Sequence, residues 1–107
     1  MVVRVDGSAI LRELTAEGHA GFALKGQDIV CAAASVLLLT VARTFEAADG
    51  VVVEGGTARS GALNLVVKEV VRDRIDWSRG VTAMFMKGIR DLSEEYPDRV
   101  SLTVAEI

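Results

Sequence analysis

IVCAAASVLLLTVA, from Ile29 to Ala42, is an uncharged run of fourteen residues bracketed by Asp28 and Arg43. A helix that crosses a bilayer needs about twenty apolar residues. This run is too short, and its flanks are charged, so it reads as a buried helix. Asp28 suits the N-cap, since its carboxylate can accept amide protons of the first turn. Asp49-Gly50 stops the helix, which is expected from Asp28 to about Ala48. It is apolar nearly all round until Arg43, whereas a surface helix shows a polar stripe. One side is therefore expected against a sheet and another against a second surface.

Working outward, residues 2–5 (VVRV) and about 9–17 (AILRELTAE) read as two strands joined at Asp6-Gly7, a hairpin signal. Ile10, Leu14 and Ala16 are expected on one face, with Glu13, Thr15 and Glu17 opposite. Beyond the helix, residues 51–53 (VVV) are a strand that Gly55-Gly56 punctuates. Residues 62–73 alternate as another strand. A second helix spans about Trp77 to Glu95, with Val81, Met84, Phe85, Leu92 and Tyr96 on one face, and Pro97 stops it. Residues 99–105 (RVSLTVA) alternate, with Val100, Leu102 and Val104 on one face. The order ββαββαβ predicts an α+β, two-layer sandwich: a mostly antiparallel sheet with two helices, in one domain over residues 1–107.

Composition narrows the function. Half the 107 residues are hydrophobic and a quarter charged, ordinary globular usage. The net charge is −3 and no Lys/Arg cluster stands out, which argues against direct nucleic-acid binding. The opening MVVRVDGSAI lacks a basic region followed by an apolar core, so no secretory signal is expected. A single cysteine cannot form an internal disulfide and is easily kept reduced in a cytosol, and a cytoplasmic protein without membrane contact is expected. No repeat, low-complexity tract or Pro/Ser-rich linker divides the chain.

The chemistry concentrates between Gly18 and Ser35, which holds the only histidine, His19, and the only cysteine, Cys31. Cys31 falls in the first turn of the expected helix. Unpaired amides and the macrodipole there favour negative charge, and the thiolate is the nucleophilic form. His19 lies in a loop with glycines at 18, 21 and 26, which can fold back and set an imidazole beside the thiol. Such a pairing is a recurring way to build a cysteine nucleophile. Backbone amides at the helix start, those of Val30 or Ala32, could hold an oxyanion.

Blander readings stand beside these. A lone cysteine in an apolar helix is most often a small core residue, and a lone loop histidine is usually solvated. Asp28 as a cap is simpler than Asp28 as a third catalytic member. Ser35 shares the helical face of Cys31 and can hydrogen-bond the Cys31 carbonyl. One Cys, one His and one nearby Asp fall short of a structural zinc site, so no metal or other cofactor is expected. Trp77 and the Met84/Met86 pair read as packing. The loop glycines match no phosphate fingerprint.

Taken together, Gly18-His19-Ala20, Gly26, Asp28, Val30-Cys31-Ala32-Ala33 and Ser35 closely resemble the ribosomal-processing cysteine protease family (Prp). The opening strands, the apolar first helix and the Leu92-to-Pro97 ending of the second helix fit the same pattern. The resemblance implies a small bacterial homodimeric cysteine endopeptidase with a helix-and-sheet fold. Its substrate would be large-subunit ribosomal protein L twenty-seven, from which it removes a short N-terminal extension. It also implies Cys31 as nucleophile and His19 as general base, with Asp28 and Ser35 supporting the site. Two other classes compete: a non-catalytic ribosome-assembly or ribosomal-protein-binding module, which need not keep both His19 and Cys31, and a thiol redox sensor, which would not need His19.

Overall fold

The computed structural model describes residues 1–16, 29–57 and 62–107. The elements run β1 (Val2–Val5), β2 (Leu11–Ala16), α1 (Ile29–Ala47), β3 (Val51–Thr57), β4 (Leu63–Val70), a 3-10 turn (Arg72–Arg74), α2 (Ile75–Glu95) and β5 (Thr103–Glu106). Five strands form one sheet in the order β3-β4-β2-β1-β5. Every neighbouring pair is antiparallel except β1 with β5. Both helices cover one face, α1 over β3 and β4 and α2 over β2. The expected α+β order and layering are present.

The first hairpin departs from a tight Asp6-Gly7 turn. Its connection runs from Asp6 to Ile10, and the left-handed residue is Ala9 (φ 62°), not Gly7. The cause is the Asp6 carboxylate, which accepts the amide protons of Ser8 (2.8 Å) and Ile10 (3.2 Å). Arg79 in α2 then ties the loop down by donating from Nε to the Ser8 carbonyl at 2.8 Å.

Two bulges follow. Arg4 pairs with Glu13 but Val5 pairs with Leu11, so Arg12 is an extra residue in β2. This flips the alternation, and Leu11 turns into the core with Leu14 and Ala16. In β4, Val53 pairs with Val67 and Val52 with Glu69, so Lys68 is extra. Arg12 bridges the two irregularities. Its Nε donates to Asp6 at 2.7 Å and its Nη1 to the Val67 carbonyl at 3.2 Å.

β3 does not stop at Gly55-Gly56. Both glycines lie inside the strand with φ of 85° and 141°. A side chain at Gly55 would run into the Asn64 carbonyl oxygen, so glycine lets the two strands approach. β4 ends earlier than expected, at Val70, because the chain tightens into the 3-10 turn that feeds α2 at Ile75. β5 starts later, at Thr103. The Tyr96 carbonyl accepts the amides of both Arg99 and Val100, which holds this stretch as a turn. Val100 is buried ahead of the strand, while Val104 is partly exposed.

α1 buries Cys31, Ala34, Ser35, Leu38, Val41, Ala42 and Phe45, a stripe at helical spacing. By length and composition it is apolar enough to cross a membrane, yet that stripe is packed in the core. Phe45 is fully buried, a contact worth about 1.5–3 kcal/mol. It meets Trp77 edge to face at 5.9 Å, and the Arg74 guanidinium lies 5.3 Å from the Trp77 ring centre. α2 packs antiparallel to α1. Trp77 sits by Phe45, and a Cβ at Gly88 would come within 3.1 Å of Leu37.

The buried face of α2 is rotated from the expected one. Ser78, Thr82, Phe85, Met86 and Ile89 are buried, while Val81 and Leu92 are half-buried. Met84 is 70% exposed and Tyr96 41%. Thr82 faces inward because its Oγ1 accepts the Leu11 amide proton at 3.0 Å.

Candidate active site

β2 delivers the chain to Ala16 and α1 takes it up at Ile29. Leu63 pairs with Ala16 on one side and with Thr57 on the other. The segments 17–28 and 58–61 therefore leave the sheet from neighbouring points. His19, Asp28 and the loop glycines Gly18, Gly21 and Gly26 lie outside the described residues. Cys31 and Ser35 lie within them.

Cys31 is the third residue of α1, where amide protons have no carbonyl four residues earlier within the helix to accept them. No acidic side chain sits in that first turn. The positive end of the macrodipole is therefore not offset by a carboxylate of the helix itself. The side chain is 3% exposed and free of any disulfide. It belongs to the buried stripe of α1.

Ser35 lies one turn further on, on the same face and 8% exposed. Its Oγ donates to the Cys31 carbonyl at 2.8 Å. That bond falls on a carbonyl of the first turn and ties the turn carrying the thiol to the next one. Serine bonds of this kind within a helix replace solvent for the hydroxyl. Around the thiol, the other side chains of the first two turns are Ile29, Val30, Ala32, Ala33 and Ala34. None of them can accept or give a proton. Ser35 supplies the one hydroxyl in these turns. The described part of the site adds no chemical group beyond those the sequence singles out.

Comparison with known proteins bears on the family and the fold. The profile of the family described as cysteine protease Prp matches residues 1–101. The ribosomal processing cysteine protease Prp of Mycoplasma pneumoniae is 37% identical over 89 residues, 83% of each chain. Among solved structures, an essential ribosomal processing protease Prp from S. aureus, with a covalently linked product peptide, superposes with a TM-score of 0.73. It has 18% identity over 99% of this chain and 96% of its own. The protein SMU.848 from Streptococcus mutans gives 0.71 at 23% identity, over 99% and 92% of the two chains. These two share the fold; the profile and the Mycoplasma relative reach further, and on them the chain belongs to the cysteine protease Prp family.

Proposed function

We propose that this chain is a processing endopeptidase that removes the N-terminal extension of bacterial large-subunit ribosomal protein L twenty-seven, using Cys31 and His19. One observation carries the reading: in a chain of a cysteine protease family, the only thiol sits in the first turn of a long apolar helix. The name of the Mycoplasma relative supports a ribosomal substrate. The S. aureus structures with a product peptide and a substrate peptide support a peptide ligand.

The steps follow from the chemistry of the groups. His19 takes the thiol proton, and the Cys31 thiolate attacks the scissile carbonyl carbon. The oxyanion that forms is held by amides at the start of α1, those of Val30 or Ala32. The imidazolium then protonates the leaving amine as the C–N bond breaks, leaving a thioester. Water, activated by His19, cleaves the thioester and restores the thiol. Asp28 caps the helix or orders the loop, and Ser35 braces the helical turn. Gly18, Gly21 and Gly26 let the loop order on the substrate.

The test is cleavage of a peptide spanning the extension junction, with Cys31→Ala and His19→Ala alongside. Both variants are expected to lose cleavage. Cleavage that survives Cys31→Ala overturns the thiol mechanism. An intact peptide with the unaltered chain overturns the substrate assignment, and binding without cleavage would mark a non-catalytic module.

The enzyme works as a homodimer in this reading, in the cytoplasm. Self-association is supported by apolar side chains on the outer side of the helical layer: Ile29 is 84% exposed, Val36 62% and Met84 70%. Between the helices, Leu37, Thr40, Val81 and Met84 help line an apolar groove of about 80 Å³. Light scattering at micromolar concentration is expected to give twice the chain mass, and a monomer there overturns the dimer.

A further inference from the structure

We draw no further inference here: the strongest candidate, the apolar groove between α1 and α2 with Met84 on its rim, carries nothing beyond the self-association already proposed, because nothing in the structure shows what covers it.

Discussion

The Ser35 hydroxyl donates to the Cys31 carbonyl at 2.8 Å, one helical turn from the thiol. The bond holds the backbone of the turn that carries the thiol, and the sulfur atom takes no part in it. Ser35→Ala removes one hydrogen bond, worth about 0.5–1.5 kcal/mol, and gains some helix propensity in return. Stability in urea is expected to change by less than about 1 kcal/mol. Peptide cleavage is expected to persist at a reduced rate, in contrast to Cys31→Ala.

Two hydroxyls on the buried face of α2 are expected to behave oppositely. Thr82 Oγ1 accepts the Leu11 amide proton, so Thr82→Val strands a buried donor at a cost of about 1–3 kcal/mol. Ser78 is fully buried and its Oγ has no hydrogen-bond partner among the described residues. Ser78→Ala is expected to leave stability unchanged or raise it by about 1 kcal/mol. Thermal melts of the two variants, side by side, check the contrast.

Acid sensitivity should trace in part to Asp6. Partial burial acts to raise its carboxyl pKa. The hydrogen bond from Arg12, those from the Ile10 and Ser8 amides and the Arg12 charge outweigh it, and the net shift is downward. A lowered folded value means stability that is fully present above the unfolded value near 4 and is lost as pH falls through the folded one. Asp6→Asn is expected to flatten that acid limb while lowering stability at neutral pH. Denaturation midpoints between pH 2 and 7 provide the measurement, and an unchanged acid limb would count against the Asp6 contribution.

Gly55 should tolerate no side chain. Its φ is 85°, and a Cβ there collides with backbone rather than with a movable side chain. Gly55→Ala is expected to cost about 3 kcal/mol, combining left-handed strain with displacement of Asn64. Gly7→Ala is the control, since a Cβ at Gly7 meets nothing within 4 Å. Equal losses for the two variants would refute the steric account.

Much of this was legible in the residues. The run from Ile29 to Ala42 does form the central helix, and Gly50, with φ 81°, follows its end. Leu14 and Ala16 alternate as strand residues should. Elsewhere hydropathy misled, because the deciding contacts are polar. Thr82 is inside because its hydroxyl accepts the Leu11 amide proton, and Ser78 follows one turn earlier on the same face of α2. Met84 looks like core by spacing but faces outward once Thr82 fixes the rotation of α2. Val100, Leu102 and Val104 alternate perfectly, yet the Tyr96 carbonyl holds Arg99 and Val100 in a turn. At the site, Cys31 could be placed on its helix from sequence alone. Its burial and the direction of the Ser35 hydroxyl follow from how α1 packs on the sheet, which residue types do not display.

The extra residues Arg12 and Lys68 set different rules for two kinds of genetic change. Replacing a side chain in β2 alters one contact. Deleting the Arg12 codon would instead remove the bulge and keep Leu14 and Ala16 facing the core, whereas deleting the Thr15 codon, past the bulge, would turn Ala16 toward solvent. Ala16 is where the chain departs toward His19. Reading-frame-preserving deletions past the bulge should therefore abolish peptidase activity from a distance, though they remove no catalytic group, while loss of Arg12 itself should be far milder.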